Sequence, residues 1–500
     1  MKNIALANSI LQSLWGFGVR EVVLCAGARN APFVSVLAQP GPLRVHSFFE
    51  ERSAAFFALG RMQATGRPVA VVTTSGTAAA ELLPAAIESD YQGLPLVMVT
   101  ADRPRSYRGS GAPQTMDQVG LYSHYVERSW DIEGQCDLGF EASGRRPLHF
   151  NVCFDEPLID EESGEFTPTV MDHAHSAGVA NPKMPKCEMA RPLIVVTALP
   201  KVFGPSVQKW LLQAARPVYL EAPSQLRGLA ELQDLEWTGG DNALKLNDFD
   251  GVIRIGGVPT LRLWRDLEKS QLPVLHFSHL PFSGLPRVPE VFPLHLLSDF
   301  SPRFDPWRGQ DSSRALGSKL KNLLAEFPLS EPAWVQWLSQ QIRPGSRLFL
   351  GNSLPVREWD LAADRDSRPE IFVNRGVNGI DGLISTFLGT ASAEKSNWAL
   401  IGDLTALYDL SGPWAARGLG IQDLNLVIIN NGGGKIFKNI FHNPLFENPH
   451  GLGFAHWSKM WGWDHQRLEY PLTLHPASRP RVLEILPHEE QTEAFWKEFL

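Results

Sequence analysis

Runs of apolar, often β-branched residues of strand length recur in three clusters, and they constrain the fold more than any other feature of this chain. The first cluster is 21–24, 45–49, 69–73, 96–100 and 148–152. The second is 193–196, 218–220, 252–255 and 274–277, and the third is 348–350, 371–373, 398–401, 426–429 and 482–485. Helical periodicity fills the gaps, as at 51–64, 77–89 and 318–326. Continuous apolar strands alternating with helices predict an α/β chain of doubly wound parallel sheets, covered on both faces. A weakly periodic stretch at 161–191 and an irregular one at 300–311 divide it into three expected domains, 1–165, 190–310 and 330–500.

Five hundred residues exceed one ordinary core. A hydrophobic content of 44%, a charged content of 20% and a net charge of −8 describe a soluble globular chain and argue against nucleic acid as partner. Cys25, Cys136, Cys153 and Cys187 show no metal or redox spacing, so reduced thiols and a cytoplasmic setting are expected. Residues 1–15 lack the apolar run of a signal peptide, and no stretch is apolar for long enough to span a membrane.

Polar and glycine residues gather just after predicted strand ends: Gly27-Ala28-Arg29, Glu50-Glu51-Arg52, Ser75-Gly76-Thr77, Asp102-Arg103, Asn352-Ser353, Asn374-Arg375, Gly402-Asp403 and Asn430-Asn431. Ligands of open α/β sheets bind outside the carboxyl ends of the strands, so the first and third domains both carry loaded edges, and one site can draw on both. Asp403 and Asn431 lie 28 residues apart, about one strand–helix–strand unit, which brings both to one sheet edge. An acid, an amide and the Gly432-Gly433-Gly434 loop suit a hard cation carrying a diphosphate. The competing reading is a helix-capping Asp and an Asn-Gly turn.

Glu51 opens a helix among Phe48, Phe49, Phe56 and Phe57. Apolar surroundings raise a carboxyl pKa and equip it to exchange a proton with a heterocycle, whereas the plain alternative is a solvated first-turn acid. Thr74-Ser75-Gly76-Thr77 is either an anion- or ring-binding turn or a simple N-cap. Arg29, Arg103, Arg357 and Arg375 follow strand ends, a placement that favours a small carboxylate substrate over surface decoration.

Beyond these residue-level readings, the Gly402-Asp403 to Asn430-Asn431 pattern resembles the diphosphate–Mg²⁺ signature of thiamine diphosphate enzymes. The domain order resembles their pyrimidine-binding, middle and diphosphate-binding arrangement. More narrowly, Glu51 to Phe56, Thr74 to Ala78, Thr100 to Pro104, Gly111 to Gln114, Pro147 to Val152, Gly351 to Arg357, Asn374 to Gly382 and Gly402 to Asp409 resemble the 2-succinyl-5-enolpyruvyl-6-hydroxy-3-cyclohexene-1-carboxylate synthase (MenD) family of menaquinone biosynthesis. The resemblance implies decarboxylation of 2-oxoglutarate and conjugate addition of the succinyl carbanion to isochorismate. The implied cofactors are thiamine diphosphate and Mg²⁺, with Mn²⁺ as the alternative ion. It implies that Glu51 bonds N1′ of the aminopyrimidine, that Ser75, Gly76 and Thr77 line the pyrimidine pocket, and that Ile380 holds the cofactor bent. Asp403, Asn431 and the Gly433 carbonyl become the metal ligands; Gly402, Leu404, Ile436 and Phe437 become cofactor contacts. Arg29, Arg103, Gln114, Arg262, Ser353, Arg357 and Arg375 become binders of the dicarboxylate substrates. Because that superfamily draws Glu51 and Asp403 equivalents from two subunits, a homodimer or homotetramer is implied.

The chain departs from the family pattern at several points. Ala28 stands where a serine is common, Arg262 replaces a middle-domain lysine, Lys435 replaces a glycine or glutamine, and the middle domain is short. Two alternatives stay open: another thiamine diphosphate decarboxylase or carboligase, such as an acetohydroxyacid synthase, and a non-catalytic binding protein with this fold.

Overall fold

The computed structural model describes residues 2–134, 142–161, 166–168, 183–238, 244, 246–260, 263–288, 290–307, 311–441 and 443–500. Strands β1 (Glu21–Cys25), β2 (Arg44–Phe48), β3 (Val69–Thr73), β4 (Leu96–Asp102), β5 (Arg128–Glu133) and β6 (Leu148–Cys153) form a sheet in the order β2-β1-β3-β4-β6-β5. Strands β7 (Pro192–Val196), β8 (Val218–Leu220), β9 (Gly251–Ile255), β10 (Val274–Ser278) and β11 (Phe292–Pro293) form a second, in the order β11-β10-β9-β7-β8. The third contains β12 (Arg347–Leu350), β13 (Glu370–Val373), β14 (Asn397–Gly402), β15 (Leu424–Ile429), β16 (Asp464–Leu468) and β17 (Arg481–Ile485), ordered β13-β12-β14-β15-β17-β16. Every pairing of these strands is parallel. Numbered from its own first strand, the third sheet repeats the order of the first.

The apolar runs became central strands: β3, β4, β6 and β15 are buried along their whole length. Sequence patterning missed β5, β11 and β16. All three are sheet edges. Edge strands carry charge that discourages further pairing, as Arg128, Asp131 and Glu133 do in β5 and Asp464 and Arg467 in β16, so their hydrophobic signal is weak. The helix expected over 77–89 is broken into Thr77–Ala80 and Leu83–Gln92. Pro84 lacks the N–H that a continuous helix would need there.

Packing groups the chain into two compact units, one of 1–178, 376–391 and 408–420, the other of 179–375, 392–407 and 421–500. In the first unit, helix Leu383–Thr390 lies against helix Glu51–Thr65. Glycine makes the crossing possible: a Cβ on Gly60 would run into the Thr386 carbonyl oxygen and stand 2.9 Å from the Gly389 Cα. A Cβ on Gly389 would likewise meet the Phe57 carbonyl. The fully buried Asp409 stitches the same elements, accepting from Ser385 N (2.8 Å), Ser385 Oγ (3.1 Å) and Ser53 Oγ (3.4 Å).

In the second unit the β7–β11 and β12–β17 sheets are tied through loops. Asp360 Oδ1 accepts from Ala222 N at 2.6 Å, Gln225 exchanges hydrogen bonds with the Ile371 backbone (2.6 and 3.1 Å), and Arg227 donates to the Ala363 carbonyl at 2.7 Å. Cys25, Cys153 and Cys187 are free thiols, and Cys136 lies outside the described residues. Among the described residues no helix is long and apolar enough to cross a membrane.

Candidate active site

In the strand order shared by the first and third sheets, the direction in which strands are added across the sheet reverses between the first and third strands, and the crevice outside their carboxyl ends is where such sheets hold ligands. Most of the sequence-predicted residues follow strand ends of these two sheets, as two groups in two separate units.

In the first unit, the turns after β1 and β3 touch. Arg29 N donates to Thr74 Oγ1 at 3.2 Å, and a Cβ on Gly27 would stand 2.6 Å from Thr74 Cβ. Gly76, at φ +82, lies against Gln114, whose Cα and Cβ would be 3.3 Å from an added Cβ. Gln114 itself has φ 54, a conformation non-glycine residues rarely hold without cause. Arg103 Nε donates to the Pro113 carbonyl at 3.1 Å, beside Gln114. Ser75 is buried and Thr77 exposed. The Arg29 guanidinium is buried, donating to the Phe154 carbonyl (3.1 Å) and pairing with Glu156 (3.4 Å).

Glu50 caps its helix, accepting from Arg52 N (3.1 Å) and Ser53 N (2.9 Å). Glu51 is thereby released from capping. Burial, reinforced by the Glu50 charge, lifts its carboxyl above the ordinary value. Phe48, Phe56 and Phe57 are buried, whereas Phe49 is exposed and packs edge-on against Trp414. Half-buried Ile380 precedes the helix that crosses the Glu51 helix. Its segment is anchored by Glu88, which accepts from Gly376 N (2.7 Å) and Val377 N (2.8 Å).

In the second unit, the β14–β15 register sets Gly402 opposite Ile429, so Asp403 and the Asn430–Gly434 loop emerge side by side. Asp403 is buried, its carboxylate accepting from Leu404 N (2.6 Å), Gly432 N (2.8 Å) and Gly433 N (2.9 Å). Desolvation lifts its pKa, opposed by these donors and by His450, whose Nε2 is 3.4 Å away. Asn431 Nδ2 donates to Glu331 at 2.9 Å, and its buried Oδ1 has no hydrogen-bond partner among the described residues. The Gly433 carbonyl accepts from Lys435 N at 2.9 Å and retains a second lone pair. Gly433, at φ +141, could not carry a Cβ, which would stand 2.5 Å from the Glu447 carbonyl.

An orphaned amide oxygen, a buried carboxylate and a tight glycine loop fit a hard divalent cation held in part by a diphosphate. Among the described residues no group of three or more His, Cys, Asp or Glu offers a conventional metal cage. Leu404, Ile436 and Phe437 accompany this loop. Ile436 lines a 470 Å³ cavity with Asn431, Lys435 and Glu331, and Phe437 joins Phe441 and Phe446 in an exposed aromatic cluster. Among the described residues beyond its chain neighbours, no atom lies within 4 Å of where a Cβ on Gly402 would stand.

Ser353, at φ 73, opens helix Leu354–Ala362, which carries the exposed Arg357. Asn352 joins the turn after β12 to the turn after β13, donating to the Asn374 carbonyl (2.8 Å) and accepting from Arg375 Nη1 (3.1 Å). Arg262 lies outside the described residues. Lys435 pairs with Glu447 (3.1 Å) and Glu489 (3.3 Å). Sequence reading missed Gln118, which accepts from Gly76 N at 2.7 Å, and also Glu88, Glu331, Glu358 and His450. Each sits in a helix or loop remote in sequence from the residue it serves, so no local pattern marks it.

Residues 4–121 match the family model of the thiamine pyrophosphate enzymes' N-terminal TPP binding domain. Over its full length the chain is 44% identical to a 2-succinyl-5-enolpyruvyl-6-hydroxy-3-cyclohexene-1-carboxylate synthase of Bdellovibrio bacteriovorus, of which 99% is covered. It is 36% identical to the protein of that name from Akkermansia muciniphila, with 98% of this chain and 97% of the relative aligned. For the Staphylococcus epidermidis protein of the same name the identity is 30%, over 92% of this chain and 90% of the relative.

Proposed function

The chain belongs to the 2-succinyl-5-enolpyruvyl-6-hydroxy-3-cyclohexene-1-carboxylate synthase family, and from that premise we propose how its strand-end residues divide the work. The enzyme is a thiamine diphosphate-dependent transferase that decarboxylates 2-oxoglutarate and joins the succinyl unit to isochorismate. Thiamine diphosphate, when bound, supplies the nucleophilic carbon and the electron sink.

Glu51 shares a proton with N1′ of the aminopyrimidine; a half-buried carboxyl with a raised pKa suits that exchange. Ser75, Gly76 and Thr77 would shape the ring pocket, and Ile380 would supply an apolar wedge against the cofactor. Asp403, Asn431 and the Gly433 carbonyl hold Mg²⁺ or Mn²⁺, with Gly402, Leu404, Ile436 and Phe437 against the cofactor. Arg29, Arg103, Gln114, Ser353, Arg357 and Arg375 bind the substrate carboxylates and hydroxyl, assisted by Arg262. Two dicarboxylate substrates account for this concentration of arginine in a chain of net charge −8. The functional division is three domains, 1–165 for the pyrimidine, 190–310 as the middle domain and 330–500 for the diphosphate. A homodimer or homotetramer in the cytoplasm goes with this reading.

The observation that carries it is the Asp403 carboxylate on the glycine-loop N–H groups with the unpartnered Asn431 oxygen beside it. The test is an assay with 2-oxoglutarate, isochorismate, thiamine diphosphate and Mg²⁺. CO₂ release with isochorismate-dependent formation of the succinylated product is expected. CO₂ without that product would instead identify another 2-oxoacid decarboxylase or carboligase, and no CO₂ a non-catalytic protein.

A further inference from the structure

Glu331 opens helix Glu331–Gln341, directly after the Ser330 N-cap, and its side chain is almost wholly buried, at 3% exposure. Its backbone N–H donates to Thr492 Oγ1 at 3.1 Å, which fixes the helix start against helix Glu489–Phe499. Its Oε2 accepts from Asn431 Nδ2 at 2.9 Å. Glu358, from helix Leu354–Ala362, is buried beside it, and the two carboxyl groups share a hydrogen bond. Burial and then the Glu331 charge raise the Glu358 carboxyl well above its ordinary value. Burial lifts the Glu331 carboxyl as well, to about 7, opposed first by the hydrogen bond from Asn431.

A carboxylate accepts hydrogen bonds and cannot donate them. Asn431 meets Glu331 through its nitrogen, at 2.9 Å, and its oxygen is turned the other way, where it finds no donor among the described residues. Leaving an amide oxygen buried and unpaired is costly, so this arrangement calls for a ligand for that oxygen. Asp403, from the adjacent strand end, carries the nearby charge that Glu331 also feels.

We propose that Glu331 is a positioning residue for the divalent cation, fixing the Asn431 amide so that Oδ1 is presented to the ion. The inference rests on Asn431 being a cation ligand, as read above. It adds that the orientation of that ligand is set by a carboxylate 100 residues earlier in the chain, at the N-terminus of a helix that itself contributes no ligand.

Calorimetric titration of Mg²⁺ into the full-length protein, with thiamine diphosphate held in excess, tests it. Glu331→Met should weaken Mg²⁺ binding by about 10- to 100-fold, as loss of an outer-shell partner does. At saturating Mg²⁺ the KM for 2-oxoglutarate should stay at the wild-type value. Because Glu331 acts through Asn431, the Glu331→Met/Asn431→Ala double variant should bind Mg²⁺ no more weakly than Asn431→Ala alone.

Should the methionine variant not fold, Glu331→Gln is isosteric. Its amide can meet Asn431 through either atom, which lowers the competent fraction and weakens binding by about two- to fivefold. Wild-type Mg²⁺ affinity in a folded Glu331 variant, with Asn431→Ala impaired, overturns this inference alone. Wild-type affinity in Asn431→Ala overturns the cation-site reading beneath it.

Discussion

The Glu50 carboxylate is occupied by the N–H groups of its own helix, and this leaves its neighbour Glu51 available for other work. The surrounding phenylalanines already pointed to Glu51 as the acid with the raised pKa, and burial lifts it; the structure adds that Glu50 takes the cap. Glu51→Gln keeps the shape and removes the exchangeable proton. With cofactor saturating, turnover should drop by about 10²–10⁴-fold, the usual worth of a general acid–base group. Turnover at the wild-type level would remove Glu51 from the mechanism. Gln114 and Ser353 make a second point at this scale. Both were singled out as substrate residues, and both hold positive φ, a conformation that the surrounding turns must impose.

Among elements, the crossing of helix Glu51–Thr65 with helix Leu383–Thr390 was not legible beforehand. Its sequence signal is a single small residue on each helix, Gly60 and Gly389, and small residues are too common to identify a contact. The consequence is testable. Gly60→Ala forces a Cβ onto the Thr386 carbonyl and should cost about 1–3 kcal/mol in urea unfolding, the usual range for overpacking. Gly418→Ala, at an exposed position of helix Ala416–Leu419 with open space around the added Cβ, should leave stability unchanged or raise it by up to about 1 kcal/mol. Equal effects at the two positions would show that the close approach of the helices does not limit stability. The edge strands β5 and β16 escaped prediction for the complementary reason: their charged residues serve the sheet edge and obscure the strand pattern.

At the scale of the whole molecule, the first and third sheets have the same strand order, and each carries sequence-predicted turns after its strand ends. Glu51 belongs to one compact unit and Asp403 to the other. The proposed homodimer or homotetramer should appear by light scattering of the cofactor-loaded protein. A loaded monomer would remove the assembly from the proposal and leave the residue roles to be tested separately.

The chain by itself determined the parallel α/β sheets, the strand ends that carry chemistry and the spacing that makes Asp403 and Asn431 neighbours. These follow from hydrophobic periodicity and from glycine, which are local properties. Only the tertiary structure decided how far Glu51 is desolvated, which glycines let two helices touch, and which buried acid accepts from the Asn431 amide. Those outcomes depend on desolvation and on contacts between segments as much as 100 residues apart or more, and no window of sequence contains them.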